Sequence, residues 1–227
     1  MTTTKTMAAA REVSSTRKSA AKPVANIPLT EDRLVSTALA IINTSNVESL
    51  TMRRLADELG VTQMAAYHHV KGKDQLLELA LDRLLASVVL PPKDFGTWDE
   101  RLLERFVSMI DALSAYPGMG AYLLGSRLPR SGRRLVRLTV QMLIEEGFNA
   151  EEALFIQATV STWSHGYLAL SARMGSKTIV DYYSVALPNG QSKALRLEPH
   201  MLLRTSVQAV LRGVKATIDD GVFRSQS

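Results

Sequence analysis

Between positions 63 and 69 the chain sets Gln63, Met64, Ala65, Ala66, Tyr67, His68 and His69 in a row. Glutamine can bond an adenine edge through both halves of its amide, and alanine and methionine can touch a thymine methyl. Tyrosine and histidine can reach phosphates or base edges. Arg53 and Arg54 lie upstream, in the first turn of an expected helix whose free backbone amides also favour phosphate. Lys73 lies downstream, where the next helix would approach a nucleic-acid backbone. This is chemistry of recognition rather than of bond breaking. There is no cysteine, so thiolate catalysis and Cys-based zinc sites are excluded. No Glu-x-x-His pair, Ser-His-Asp pattern or Walker loop occurs. Gly118-Met119-Gly120 follows a helix rather than a strand, which disqualifies it as a dinucleotide loop. Asp219-Asp220 lacks a further acidic partner. His68 and His69 point about 100° apart on a helix and make a poor metal pair. Neither an enzyme nor a metal or cofactor site is expected.

The elements that must hold these residues read as helices. Thr30 is a suitable N-cap, with Glu31 and Asp32 at the positive end of the dipole. Leu34, Ala38, Ile41 and Ile42 recur at one-turn spacing. Thr51 caps a short second helix, with Leu50 and Leu55 at the staple positions flanking it and a stripe of Met52, Leu55, Ala56 and Leu59. Gly60 ends that helix in the left-handed region. Thr62 caps a third helix running to about His69, with Val61, Ala66 and Val70 inward and the polar row outward. Tyr67 can also pack on the core beneath it. After the Lys71-Gly72-Lys73 turn, a longer helix opens near Asp74, and Pro91-Pro92 stops it. Three short helices with a glycine corner form a helix-turn-helix, in which two helices hold the third at a fixed angle for the major groove.

The run from Leu50 to Leu81 resembles the first domain of the TetR family. Leu50-Thr51, Arg53-Arg54-Leu55-Ala56, Leu59-Gly60-Val61, Tyr67-His68-His69-Val70, Lys71-Gly72-Lys73 and Leu76-Leu77 occur in the family's order. Gln63 and Tyr67-His68-His69-Val70 bring it nearest the tetracycline-repressor subgroup, and the likeness is strong over about residues 29–85. It implies that Arg53, Gln63, Ala65, Tyr67, His68, His69 and Lys73 sit at DNA-contact positions. Thr51, Arg54, Thr62 and Met64 join them from their places on the same helices. Met64, Ala65 and His68 depart from the subgroup, so its operator sequence does not transfer.

Beyond the Lys93–Thr97 connector, helices are expected near 98–115, 119–126, 131–147, 150–173 and 199–220. Residues 174–198 read as a loop with a turn at Pro188-Asn189-Gly190. The fold class is therefore all-α. A basic tail (1–28) leads into a helix-turn-helix domain (29–90) and a larger helical effector-binding and dimerisation domain (91–227). The resemblance implies an effector pocket in the second domain and a four-helix interface made by its last two long helices. A dimer is also required because one short helix reads too few base pairs. In helix 150–173, Ala153, Ile156, Val160, Ser164 and Tyr167 form one stripe, and Phe155, Thr159, Thr162 and Gly166 another. Candidate pocket residues are Met109, Tyr122, Met142, Trp163, His165 and Tyr167, though methionines and aromatics at such spacing are also ordinary core. Ser87-Val88-Val89-Leu90 stands where a drug-contacting histidine would end the fourth helix, which points to an effector more apolar than tetracycline. Arg127, Arg130, Arg133, Arg134 and Arg137 read as a solvated loop and helix start, or else as an anion site.

Charge is unevenly spread. Residues 1–28 carry Lys5, Arg11, Arg17, Lys18 and Lys22 against Glu12; residues 29–90 carry 6 basic and 8 acidic side chains; the remainder carries 16 and 13. The net +5 thus does not locate a nucleic-acid site, although the tail can add nonspecific phosphate attraction. No run of about 18 uncharged apolar residues suggests a membrane span, and the N-terminus lacks a secretory pattern. The expectation is a cytoplasmic homodimeric repressor, bound to a pseudo-palindromic DNA operator and released by a small, largely apolar effector.

Overall fold

The computed structural model describes residues 28–174, 184–186, 192–194 and 198–222. The expected tail, save Pro28, and most of 174–198 lie outside them. The chain is built from helices α1 (Glu31–Thr44), α2 (Met52–Leu59), α3 (Gln63–Tyr67), α4 (Lys73–Ala86), α5 (Trp98–Ser114), α6 (Met119–Gly125), α7 (Arg130–Glu145), α8 (Ala150–Met174) and α9 (Pro199–Asp219). A 3-10 turn, Lys93–Phe95, fills the connector. The one strand pairing among the described residues joins Ser184–Ala186 antiparallel to Ser192–Ala194. Three-residue strands are too short for alternation to be visible in a sequence. The expected turn at Pro188-Asn189-Gly190 lies outside the described residues.

Local chemistry fixes the helix starts. The hydroxyls of Thr30, Thr51 and Thr62 accept hydrogen bonds from the amides of Arg33, Arg54 and Ala65, at 3.2, 3.1 and 3.2 Å. Each satisfies a donor the helix cannot pair itself. Gly60 ends α2 at φ 67°. Thr97 and Glu100 form a reciprocal capping box on α5.

In the N-terminal part, Leu34, Ala38, Ile42, Leu50, Leu55, Ala66, Leu76 and Leu81 are all but inaccessible to solvent. Helix α4 is shared. One side packs on α1 and another on α7, so the buried core runs unbroken from Leu34 to Ile218. Arg101 staples the connector, with Nε donating to the Pro91 carbonyl at 3.0 Å and Nη1 pairing with Glu146 at 3.1 Å. Trp98 meets Phe148 edge to face at 5.0 Å. Helix α9 lies on α8 and α5, and Arg204 pairs with Glu104. No helix among the described residues is long and apolar enough to cross a membrane.

Candidate functional site

Two sites emerge at opposite ends of α4. The first is the outer face of α3. Ala66 and Val70 are buried, while Gln63, Met64, Tyr67, His68 and His69 are exposed and Ala65 is half-buried. Met64 and Tyr67 keep 67% and 46% of their surface in solvent, although both are residues that normally seek a core. The sequence runs this helix to about His69; the structure ends it at Tyr67. The His69 amide donates to the Ala66 carbonyl three residues back, and this tightening returns Val70 to the core. Of the flanking cations, Arg53 projects into solvent beside Asp57 at 4.0 Å. Arg54 is half-buried and donates to Ser45 Oγ at 3.4 Å from both Nη atoms. Lys73 Nζ donates to the Val47 carbonyl at 2.8 Å and to that of Glu48 at 3.4 Å. Both therefore brace the α1–α2 loop. Thr51 and Thr62 use an acceptor lone pair for capping, which leaves each hydroxyl proton free to donate.

That loop is also tied to the second half of the molecule. The Val47 amide donates to the Pro117 carbonyl at 3.0 Å, and Asn43 Nδ2 donates to that of Ala115 at 2.7 Å. Gly118, at φ 93°, comes so close that a Cβ there would lie 3.0 Å from the Val47 side chain. The Tyr122 hydroxyl donates to the Asp74 carbonyl at 3.2 Å. Burial, then the charges of Asp74 and Glu78, raise the pKa of Tyr122, so it stays a neutral donor.

The second site is a partly open cavity of about 60 Å³. Leu85, Arg105, Phe106, Met109, Leu123, Leu128, Gly132, Leu135, Val136, Gln157, Ser161 and His165 line it. Gly132 lets α7 approach closely: a Cβ there would sit 2.6 Å from Leu128 and 3.1 Å from Leu85. Arg105 is 2% exposed and Gln157 5%. Gln157 Nε2 donates to Ser161 Oγ at 2.6 Å. Burial lowers the pKa of His165 and pushes that of Arg105 down to about 10, which leaves the guanidinium charged at neutral pH.

Of the sequence-derived pocket candidates, Met109 and His165 line this cavity. The other four lie elsewhere. Met142 is core, Trp163 and Tyr167 stack on each other with centroids 5.5 Å apart, and Tyr122 reaches α4. Spacing along one helix cannot tell which side another helix will cover. Arg127, Arg130, Arg133, Arg134 and Arg137 are exposed and outside the lining. Arg105 and Gln157 were missed. Their signal was a polar residue inside a buried stripe: Arg105 among Leu102, Phe106 and Met109, and Gln157 among Ala153, Ile156 and Val160. Among the described residues no group of three or more His, Asp or Glu is placed to hold a metal ion.

Residues 34–80 match the family model of bacterial regulatory proteins, tetR family. An HTH-type transcriptional regulator of Saccharopolyspora erythraea is 30% identical over 153 residues, 66% of this chain and 62% of the relative. This chain therefore spans less than two thirds of that relative's length. The tetracycline repressor protein class E of Escherichia coli is 24% identical over 200 residues, 85% of this chain and 93% of the relative. Among solved structures, apo ActR from Streptomyces coelicolor matches with a TM-score of 0.68 at 23% identity, over 86% of this chain and 99% of that one.

Proposed function

The chain belongs to the TetR family of bacterial regulatory proteins, and from that premise we propose that it is a dimeric, sequence-specific repressor released from its operator by a small molecule. The observation that carries this reading is the outer face of α3, where a side-chain set suited to base edges stands in solvent on a fully packed scaffold. In this reading residues 29–90 form the DNA-binding domain, residues 91–227 bind effector and dimerise, and the basic tail at 1–28 adds phosphate attraction. Gln63, Met64 and Ala65 read bases. Tyr67, His68, His69, Arg53, Thr51 and Thr62 contact phosphates or base edges. Arg54 and Lys73 have a lesser part, because both already brace the loop. The protein would work beside the chromosome, in the cytoplasm.

Dimerisation is supported by the outer faces of the last two helices. Leu154 and Met201 are each 55% exposed. The same helices expose small residues, Ala158, Thr162 and Gly166 on α8 and Thr205, Ala209, Gly213 and Ala216 on α9. Such stripes let partner helices approach closely. A two-fold pair presents two α3 helices to successive grooves of a pseudo-palindrome.

Release is supported by α4. Its first residue braces the α1–α2 loop and its Leu85 lines the cavity, about 20 Å away along a helix of this length. Asp82 of α4 also accepts the amide of Ser131 at the start of α7, at 2.6 Å. A small-molecule site usually needs about 300–1,000 Å³. An effector of that size, apolar over most of its body, must part Leu85 from Gly132 and shift α4. Ligand and DNA then oppose each other by the same factor.

The test is selection of binding sites from random duplex DNA by the full-length protein, followed by titration of the selected duplex with a metabolite panel. The expected result is an inverted repeat bound by two subunits, with affinity lowered by at least one compound. Unenriched sequence would overturn the repressor reading. Operator binding unmoved by every compound would overturn the release mechanism.

A further inference from the structure

Arg105 is the anomaly of the interior. It is 2% exposed, yet its Nε and Nη1 have no hydrogen-bond partner among the described residues. No carboxylate lines the cavity it borders. The nearest compensation is the Phe106 ring, whose centroid lies 4.4 Å from the guanidinium carbon. A ring face offsets only part of what a buried cation loses with its water. A second buried polar atom of the same lining, Gln157 Oε1, is also unpartnered. Natural interiors pair such groups almost without exception, and an unpaired one calls for an absent partner. By contrast Arg101, one turn earlier on the same helix, has both a carbonyl and a carboxylate. Arg204 has Glu104. Arg105 alone of these three faces the cavity without a counter-charge.

We propose that the effector is an organic acid whose carboxylate pairs with Arg105, while its apolar body lies against Phe106, Met109 and Leu135. A carboxylate supplies both the negative charge and the acceptor lone pairs that the free guanidinium N–H groups need. Gln157 Oε1 then accepts from a hydroxyl or N–H of the same ligand. A cavity of about 60 Å³ admits the acidic head and its nearest atoms in this closed form; the rest of the molecule enters by separating α4 from α7. This proposal rests on the cavity being the effector site, and it adds a charged head to the apolar body inferred above.

The experiment uses the full chain, thermal denaturation and titration calorimetry, with 2-naphthoate and decanoate as probes beside their primary amides. The wild type should bind the acids roughly ten- to hundredfold more tightly than the amides, the range a charge-assisted hydrogen bond provides. Arg105→Met should melt no lower than the wild type without ligand and should bind acid and amide alike. Arg105→Lys, which keeps the charge, should recover part of the preference. Amides binding as well as acids, a wild type that binds neither acid, or an Arg105→Met variant that melts well below the wild type would each overturn the proposal. Operator titration separates the two claims. Acids that bind through Arg105 without moving DNA affinity would leave this site standing and remove the release mechanism. Neutral compounds that release DNA from Arg105→Met as they do from the wild type would do the reverse.

Discussion

The α3 face and the cavity do opposite things with their polar groups. On α3 they stand in water, satisfied by solvent, which the proposed function would exchange for base edges and phosphates. In the cavity Arg105 and Gln157 are buried, and three of their atoms, Arg105 Nε and Nη1 and Gln157 Oε1, lack protein partners. In the proposed reading, function at the α3 end resides in what the fold leaves exposed, and the scaffold beneath is ordinary packing. In the same reading, function at the other end resides in what the fold leaves unsatisfied. Mutations should therefore separate stability from binding at α3 and entangle them at the cavity.

The strongest way to break that contrast is at the scaffold. Leu55→Ala removes a fully buried side chain and should cost about 2–5 kcal/mol of stability, with DNA binding lost through unfolding, as chemical denaturation would record. Next comes Gln63→Ala, which should leave the melting temperature unchanged, cost roughly 1–3 kcal/mol of operator affinity and relax one operator position. An unchanged footprint would remove Gln63 from the readout. Tyr122→Phe deletes the hydroxyl bond to Asp74 and should cost about 0.5–1.5 kcal/mol of stability; if this contact joins the two ends, any effector should then shift operator affinity less than it does in the wild type.

The smallest effect concerns pH. Burial lowers the His165 pKa below the ordinary 6.5, so the unfolded chain takes up its proton first as pH falls. Stability should decline as pH drops through 6.5 toward the lowered folded value, and be fully retained above 6.5. Melting curves of His165→Gln should show a flatter slope across that acid window. An identical slope would mean that His165 carries no linked proton.

Much of the N-terminal half was legible because its determinants are local. Thr30, Thr51 and Thr62 cap helices that begin within two residues of them, and Gly60 ends one at the next position. These are preferences of single residues for single backbone conformations. The structure ends α3 at Tyr67, two residues before the sequence pattern does, since its last turn is set by where Val70 must return to the core. The second half was legible as helices but not as a site. Met109 and His165 reach the cavity, whereas Trp163 and Tyr167, equally suitable by type, face each other instead. The pairing of residues 184–186 with 192–194 escaped because strands of three residues leave little trace in a sequence.

The sequence alone determined the helices, their caps and the identity of the exposed row on α3, because each depends on neighbours three or four positions away. Only the tertiary structure decided that Arg105 would lie buried in the same lining as Gln157 without a counter-charge, and that Leu85 would join this cavity to the helix whose Lys73 braces the α1–α2 loop. Burial and pairing arise from five helices converging from α4 to α8. A single stripe of residues cannot specify what lies opposite it.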